Sequence, residues 1–464
     1  MGTTRNNINI NQINCYAVFN DKKDYLQFYL DNIIPITIKI IVFSFTLNEA
    51  MKNQLSSNLG KYPCLEDLTF SLEKRFKYQE KLSFYTRIQK LNVISLYIDI
   101  NDYCPIQPFS HLSKLRLLTN KPILLKNFSK IIEPIKNQLT SLMLNRMSLP
   151  EDFENLSLMN LEELYLYNNS MNKGNFSFPQ LKTLHFSMKT EFNYKKLFQF
   201  HSKLERLSIT IDEDDIHEEH SNLYVNIIQE VNKLKMLKHF TIYNKNKSKF
   251  IIKENAQIIT LPEIESLSLS QGRFDLFQII NDNSKLENLN LNKSNCISFY
   301  TPIKEKFACS RLKKLVLDCK LAVDNNYQSV ASFLLCCNNL ESFYIDSVSA
   351  EFVTRIISNI NQFKHLWSIG LFSKDSITLL KEDFNKIREC NFLQSIMFSF
   401  DWMKEENDIY MLFDAVKECT FLYYILVGYI NEKWSYYEDT KLQALGNHYL
   451  IQKNLSISKI SSNY

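Results

Sequence analysis

One spacing of apolar residues recurs along most of the chain. It has the form L-x-x-L-x-L, in which another apolar residue sometimes replaces Leu, and a clear copy is LEELYLYNN from Leu161. The sixteen copies begin at Ile38, Leu65, Leu91, Leu112, Leu139, Leu161, Leu181, Leu204, Leu237, Ile264, Leu286, Leu312, Leu340, Leu366, Leu393 and Leu422. Their starts span 384 residues in 15 steps, a mean of about 26 residues, which predicts growth by stacking one small unit.

The spacing within each copy predicts a short strand with one buried face. The fourth and sixth positions are two residues apart, so their side chains lie on one side of an extended chain. The third, fifth and seventh positions then lie on the other side. Parallel stacking of successive strands would join the buried faces into one core, and the rest of each repeat supplies the crossover that parallel strands need.

In the C-terminal half, apolar residues between the motifs have helical spacing and predict amphipathic crossover helices. The predicted apolar faces are Val330, Leu334 and Cys337; Val353, Ile357, Ile360 and Phe363; Leu380, Phe384, Ile387 and Cys390; and Leu412, Val416 and Cys419. Repeats of 20 to 23 residues in the middle of the chain leave less room. We expect turns or a single helical turn there.

The position three residues before the first leucine of a motif, which we call the slot, often holds cysteine. The four examples are Cys309, Cys337, Cys390 and Cys419. Equivalent slots hold Phe363, His201 and Asn283. A position that accepts Phe favours packing over sulfur chemistry, since free Cys behaves as a small buried hydrophobe. The paired Cys spacing of a zinc site does not occur, so we expect no metal.

A helix followed by Cys-x-x-Leu-x-x-Leu resembles the cysteine-containing class of leucine-rich repeat found in F-box proteins. The resemblance covers about residues 38–430 and implies an α/β leucine-rich repeat solenoid. This horseshoe would carry a parallel sheet on its concave face and helices or irregular crossovers on its convex face. Segments 1–37 and 431–464 would then cap the two ends. The regular Asn that follows the strand in that class is missing here.

The resemblance implies an intracellular scaffold that binds a protein partner on the concave face. The alternative is a substrate-recognition subunit of a ubiquitin ligase. Its F-box would have to fit before residue 38, and no recognisable one occurs there. The two hypotheses therefore differ in whether the N-terminal segment docks a ligase adaptor.

Glycine content argues against several classes of enzyme. The 464 residues include only seven glycines, and no two of them are closer than 18 residues. Glycine-rich phosphate loops, the G-x-S-x-G elbow and the kinase signatures therefore cannot occur. We predict that the protein is not an enzyme and has no cofactor.

The stretch DEDDIHEEH at 212–220 has only a superficial likeness to a zinc helix. His217 and His220 are three residues apart, whereas H-E-x-x-H places its histidines four apart on one helical face. The stretch also lies in the longest step between motifs, where an insertion should loop out. We predict a solvated acidic loop, with contact to a basic partner or weak metal binding as the alternatives.

Charge and terminal composition limit the partners. The 54 basic and 50 acidic residues give a net charge of +4. The sequence has no extended basic block of the kind that binds nucleic acid, so we predict no nucleic-acid partner. The N-terminal MGTTRNNINI lacks the apolar core of a signal peptide, and the strongest apolar run, 33–45, is too short to span a bilayer. Ten cysteines without such a signal favour a reducing compartment. We predict a cytoplasmic or nuclear protein that is not secreted and binds no membrane.

If the strands line an open face, binding would use the third, fifth and seventh motif positions. Tyr, His and Arg, which commonly anchor protein interfaces, gather at these positions in the middle of the chain. The predicted partner-binding residues on the concave face are Tyr165, Tyr167, His185, Arg206, His239 and Tyr243. The open positions of two later motifs hold only serine, from Ser266 to Ser270, and only asparagine, from Asn288 to Asn292, and they add hydrogen-bonding groups with little charge. The alternative is that these positions are polar only because they face solvent.

Overall fold

The computed structural model divides into two compact units, residues 1–214 and 215–464. It describes residues 9–11, 16–19, 40–47, 67–72, 93–97, 112–124, 128–148, 153, 156–167, 176–188, 194–211, 221–244, 259–270, 273–296, 311–321, 327–346, 348–377, 379–390, 392–402, 411–412, 414–415, 424–428 and 456–457.

The first unit is built on a sheet of ten strands. These are β1 Asn9–Asn11, β2 Tyr16–Phe19, β3 Ile40–Leu47, β4 Asp67–Leu72, β5 Val93–Tyr97, β6 Lys114–Leu124, β7 Ser141–Ser148, β8 Glu163–Tyr167, β9 Thr183–Met188 and β10 Arg206–Ile211. Strands β1 and β2 pair antiparallel, and from β2 to β10 each strand pairs parallel with the next. Its helices are α1 Phe128–Ile132, continued by the 3₁₀ turn Glu133–Ile135, and α2 Tyr194–Phe200.

The second unit repeats this arrangement with longer helices. Its strands are β11 His239–Asn244, β12 Ser266–Ser270, β13 Arg273–Phe274, β14 Asn288–Cys296, β15 Lys314–Leu321, β16 Ser342–Ile345, β17 Ser368–Ile377, β18 Ser395–Trp402, β19 Tyr424–Gly428 and β20 Ser456–Ile457. All of their pairings are parallel, and β14 takes both β12 and the short β13 on one side. The helices are α3 Ser221–Val231, α4 Leu276–Asp282, α5 Tyr327–Cys336, α6 Ala350–Ile357, followed by the 3₁₀ turn Ile360–Gln362, and α7 Lys381–Arg388.

The predicted repeat is confirmed, because each of the sixteen motifs forms a strand that begins at its third position. Within each unit neighbouring motifs pair in register, as Ser141 with Glu163 and Glu163 with Thr183 show. In the motifs whose side chains the structure describes, the first, fourth and sixth positions are buried, and the side chains of Leu161 and Leu164 are 0 % exposed. Each unit therefore has the α/β leucine-rich repeat architecture, with the leucines packed beneath a parallel sheet.

In the repeats from Leu139 to Leu204 and from Ile264 to Leu393, the backbone ladder of the sheet extends one residue before the strand. In the first unit the carbonyl oxygen of Thr140 accepts two hydrogen bonds, from the N–H groups of Glu162 at 2.9 Å and Glu163 at 3.0 Å. The carbonyl oxygen of Glu162 accepts the same pair from the next repeat, and in the second unit the series runs from Lys238 to Trp367. A carbonyl oxygen has two lone pairs, so one oxygen can satisfy both donors.

The predicted helices of the C-terminal half are largely confirmed. Helix α5 buries Val330 and Leu334, and α6 with its 3₁₀ extension buries the whole predicted face from Val353 to Phe363. Leu380 was wrongly placed on the face of α7. It is 62 % exposed, because it lies at the extended N-cap position, where its N–H donates to the Asp383 carboxylate at 2.9 Å. Leu412 is buried, whereas Val416 and Cys419 lie outside the described residues.

Short repeats use two kinds of crossover, and the expectation of turns there was correct for only some of them. Between β8 and β9 the described residues 176–180 contain no helix. Phenylalanine rings fill that space instead, with centroids 5.2 Å apart for Phe176 and Phe178 and 5.6 Å apart for Phe153 and Phe176. Helices α2 and α4 have seven residues each, so a step of 22 or 23 residues accommodates two helical turns.

The described Cys, His and Asn side chains in the slot share one local hydrogen bond. Cys337 lies buried and its thiol donates to the Phe333 oxygen at 3.3 Å, and Cys390, half-buried, donates to Lys386 at 3.4 Å. His201 and Asn283 contact the carbonyl four residues earlier in the same way, at 2.8 and 2.7 Å. Each of these four side chains therefore caps a carbonyl at the end of its crossover, where a helix leaves such groups without partners. Cys309 and Cys419 lie outside the described residues.

The two polar slots also reach back to the preceding repeat. The Phe178 N–H donates to His201 Nε2 at 3.1 Å, and the Leu261 N–H donates to Asn283 Oδ1 at 2.8 Å. Phe178 and Leu261 are themselves slot residues, and both end crossovers whose described residues, 176–180 and 259–263, contain no helix. Their N–H groups make no bond to a helical carbonyl, so the next slot supplies an acceptor.

The slots Phe363 and Cys390 follow crossovers that contain a helix. The N–H of Cys337 bonds to the Leu334 oxygen and that of Phe363 to the Ile360 oxygen, at 2.9 and 3.2 Å. The slots that come next, Phe363 and Cys390, therefore have no such donor to satisfy. The prediction that Cys337 fills space is confirmed. Packing is not the only role of a slot, because His201 and Asn283 also accept an N–H from the preceding repeat.

We expect Asn283→Cys to lower the free energy of unfolding by at least about 2 kcal/mol, even though Cys suits other slots. The change leaves the Leu261 N–H and the Ile259 oxygen, which Asn283 binds at 2.8 Å, without their partner, and each lost partner costs about 1–3 kcal/mol. Urea titration measures the loss. Asn338→Cys, in an exposed turn, is the matched control and should change stability by less than about 0.5 kcal/mol. Equal effects of the two changes would contradict this account.

His201 should make stability depend on pH. Burial lowers its pKa, while its bond to Leu197 opposes that shift. As the pH falls, the unfolded chain takes up the His201 proton at a higher pH than the folded protein does. The contribution of neutral His201 to the free energy of unfolding is therefore fully present above about pH 6.5 and is lost below it. The variant His201→Asn has in this slot the residue type that Asn283 provides in an equivalent slot, and Asn does not titrate. We expect it to remove the dependence of the free energy of unfolding on pH that His201 causes between pH 7 and pH 5. Urea titrations at several pH values test it, and an unchanged slope in the variant would contradict it.

Candidate functional site

The open face of the first unit carries the third, fifth and seventh motif positions, as the pattern predicted. Along β8 burial alternates, with Leu164 and Leu166 fully buried and Glu163, Tyr165 and Tyr167 half-buried. Because the strands pair in register, these positions form rows across the sheet. The row of fifth positions contains Arg116, Met143, Tyr165, His185 and Ser208.

Three aromatic side chains contact one another at the centre of this face, and we call them the aromatic platform: Tyr165, Tyr167 and His185. The rings of Tyr165 and Tyr167 are nearly parallel, with centroids 6.1 Å apart and an angle of 16° between their planes. The His185 ring lies 4.3 Å from that of Tyr167, tilted by 48°. Ring packing along β8 and onto β9 therefore restricts the rotamers of the platform before any ligand arrives.

The surroundings of the platform keep its ionisable groups uncharged at neutral pH. Burial raises the pKa of Tyr165, and the nearby Glu163 carboxylate raises it further. Burial also raises the pKa of Tyr167 and lowers the pKa of His185. The platform is therefore a neutral surface that combines apolar rings with two hydroxyl groups and one imidazole.

Two arginines lie on either side of the platform. Arg116 on β6 and Arg206 on β10 each lie two strands from Tyr165, and both are close enough to oppose the increase in its pKa. Arg206 is exposed and forms no ion pair with any residue that the structure describes. Among the described open-face side chains of β6 to β10, Lys114, Arg116 and Arg206 are basic and Glu163 alone is acidic, a net charge of +2.

Sequence reasoning missed Arg116, although the rule that selected the other residues also selects it. Arg116 is the fifth position of the motif that begins at Leu112 and aligns with Met143, next in line to Tyr165. The six predicted residues begin with Tyr165, in the motif that starts at Leu161. Applying the same rule to the earlier strands would have found it.

The six predicted site residues fall into two sets, one in each unit. Tyr165, Tyr167 and His185 form the platform, and Arg206 lies beside it. His239 and Tyr243 both lie on β11 of the second unit, where His239 is half-buried and Tyr243 is 44 % exposed. His239 begins the row of third positions that continues through Ser266 and Asn288.

Some of the Ser and Asn side chains on β12 and β14 are less exposed than expected. Ser270 is buried, and so is Ser187 in the first unit, so these two seventh positions were wrongly predicted to be in the open. Each lies at or next to the last residue of its strand, where the chain leaves the sheet. Asn290 is half-buried, and its side-chain oxygen has no hydrogen-bond partner among the described residues.

Farther along the second unit, an aromatic pair covers a glycine. The Tyr344 ring lies 4.6 Å from that of Phe372, and a Cβ placed on Gly370 would come within 2.7 Å of Tyr344 Cδ2. Gly370 is therefore the residue that allows Tyr344 to lie flat against β17. At the edge of this face the Lys314 ammonium lies 5.7 Å from the centre of the Trp367 ring.

The described residues give no indication of a metal centre or a membrane span. Within them, no group of three or more His, Cys, Asp or Glu side chains is arranged to hold an ion. The acidic stretch 212–220 lies outside the described residues. None of the helices that the structure describes has both the length and the apolar character needed to cross a bilayer.

Comparison with known proteins found similar folds but no family. No family model matches the chain, and no curated protein matches it. A leucine-rich repeat protein of Leptospira interrogans is 18 % identical, with a TM-score of 0.45, and the alignment covers 87 % of this chain and 98 % of that one. TLR13 in complex with the RNA ssRNA13 is 14 % identical with a TM-score of 0.40, over 90 % of this chain and 70 % of that one. The repeat architecture of this chain rests on its own strand register.

Proposed function

We propose that the chain is a protein-interaction scaffold that binds a partner protein on the open face of its first unit, with the aromatic platform at the centre of the contact. The observation that carries the proposal is the ring packing of Tyr165, Tyr167 and His185 on neighbouring strands of a parallel sheet. Tyr and Arg are the side chains most often found at the energetic centre of protein interfaces. The open face carries both types, because Arg116 and Arg206 each lie two strands from Tyr165.

The rigidity of this surface favours binding. Interface affinity is reduced by the entropy of ordering side chains, about 0.5–1.5 kcal/mol for each flexible side chain that becomes fixed. Tyr165 and Tyr167 are already half-buried against each other and lose less freedom on binding than isolated side chains would. Polar open positions on most strands need no function, but a cluster of rings is not required for solubility.

The ubiquitin-ligase hypothesis stays a prediction. It needs an adaptor-binding element within residues 1–37, of which the structure describes only β1 and β2. The test compares recovery of a ligase adaptor by the full chain and by the chain that lacks residues 1–37. The hypothesis predicts that the deletion abolishes this recovery. The cytoplasmic or nuclear location, the absence of catalysis and the capping role of 1–37 and 431–464 also stay predictions.

The proposed function predicts that Tyr165→Ala with Tyr167→Ala removes partner capture without unfolding the chain. Tagged full-length protein would be used to capture proteins from the cells that express it, with quantification by mass spectrometry. Removing both rings deletes the centre of the contact, and we expect at least a tenfold loss of the captured partner. Circular dichroism and a thermal melt would check that both proteins are folded.

Phe200→Ala is the matched control, because Phe200 is an exposed aromatic residue of the same unit but lies on the crossover helix α2. We expect this variant to capture the same partner as the wild type. Loss of capture in the Phe200→Ala variant, or full capture by the double variant, would remove the platform as the binding surface.

A further inference from the structure

We propose that the platform and its two flanking arginines bind an extended acidic segment of the partner protein, with an apolar or aromatic residue lying between two carboxylates. This inference rests on the proposed function and adds the chemistry of the bound segment. It is carried by the charge and spacing of side chains along the rows of the first unit's sheet.

Charge complementarity selects the sign of the partner. The net charge of +2 on the described face comes from Lys114, Arg116 and Arg206, against Glu163. Arg presents a fork of N–H donors that matches a carboxylate in a bidentate arrangement, so Arg116 and Arg206 are suited to Asp or Glu side chains. The exposed Arg206 has no carboxylate partner within the described part of the chain and can therefore bind one from another molecule.

The register sets the spacing of the two carboxylates. Arg116 on β6 and Arg206 on β10 are four strand steps apart, which at about 4.8 Å a step is about 19 Å. An extended peptide that crosses the strands advances about 3.3–3.6 Å per residue, so about five or six residues span the two arginines. Long Arg side chains that lean toward Tyr165 would reduce this number slightly.

The platform selects what lies between the carboxylates. Tyr165 is midway between the two arginines, and its ring and that of Tyr167 present an apolar surface with no charge. A Leu or aromatic side chain of the segment would pack there, and peptide groups could bond to the two hydroxyls. The expected partner segment is therefore extended and has an acidic residue, then an apolar residue at its centre, then a second acidic residue.

A protein segment fits this surface better than a nucleic acid. Glu163 lies in the row of third positions between Lys114 and Arg206, where it would repel a continuous phosphate backbone. Nucleic-acid binding depends on a basic stripe that neutralises several phosphates, and the described face has a net charge of only +2. Two separated carboxylates can avoid Glu163, whereas evenly spaced phosphates cannot.

The test uses full-length protein and fluorescein-labelled peptides of eleven residues, measured by fluorescence anisotropy. Each peptide holds two Glu residues placed two to eight positions apart around a central Leu, in an otherwise Gly and Ser sequence. We expect the tightest binding at separations of four to six, at least tenfold weakening when both Glu become Gln, and weaker binding as salt is added.

Protein variants test the same contact from the other side. We expect Arg206→Gln to weaken binding of the best peptide at least fivefold and Arg206→Lys to weaken it less, since Lys keeps the charge without the fork. Lys182→Gln is the control, because Lys182 is equally basic but lies at the sheet edge beside Glu162, at 3.2 Å, and should leave binding unchanged. Thermal melts would check folding of each variant.

Three results would overturn the inference: no peptide binding, equal binding of the Glu and Gln peptides, or tighter binding of an oligouridine RNA of the same length. The outcome also separates this inference from the proposed function. If the Tyr165 and Tyr167 double variant loses partner capture while Arg206→Gln keeps it and the acidic peptides do not bind, the platform is the site but its ligand is not acidic.

Discussion

The structure depends on a backbone ladder in which one carbonyl oxygen accepts two N–H groups from the following repeat. The oxygen of Thr140 binds Glu162 and Glu163, and the oxygen of Lys313 binds Glu341 and Ser342 in the same way. This pair of bonds fixes where each strand begins, because the second and third motif positions are both held. Once the starting point is fixed, the period of two places every leucine of the motif in the core and the residues between them on the open face.

The crossovers complete what the ladder leaves unsatisfied. A helical crossover such as α5 uses its own carbonyls for the slot N–H, and the next slot can then be Phe363. An irregular crossover leaves that N–H without a partner inside its own repeat, and His201 or Asn283 in the next slot accepts it. Variation in step length from one repeat to the next is therefore tolerated, because a single side chain adjusts the hydrogen bonding at the junction.

The repeat could be predicted from sequence because it depends on spacing that is local and repeated many times. Sixteen motif starts gave sixteen strands, each beginning two residues after its first leucine. The prediction failed where a side chain forms a hydrogen bond with a different repeat or where a residue lies at a helix N-cap. Leu380 matches the apolar spacing of α7 but lies at its N-cap, and the acceptor role of His201 depends on an N–H that is 23 residues away. The composition of the open face was also predictable, but His185 pairs across the sheet with Tyr165, and its ring contact with Tyr167 depends on side-chain orientations that motif spacing does not determine.

Hydrogen exchange read by mass spectrometry with single-residue fragmentation tests the ladder most directly. The amides of Glu162 and Lys182 lie just before their strands, where an ordinary turn would leave them open to water, yet both donate to the ladder at 2.9 Å. We expect them to exchange on the order of 100-fold more slowly than the amides of Asn160 and Gln180 in the turns beside them. If Glu162 and Lys182 exchange as fast as Asn160 and Gln180, the paired ladder that positions the strands does not exist in solution.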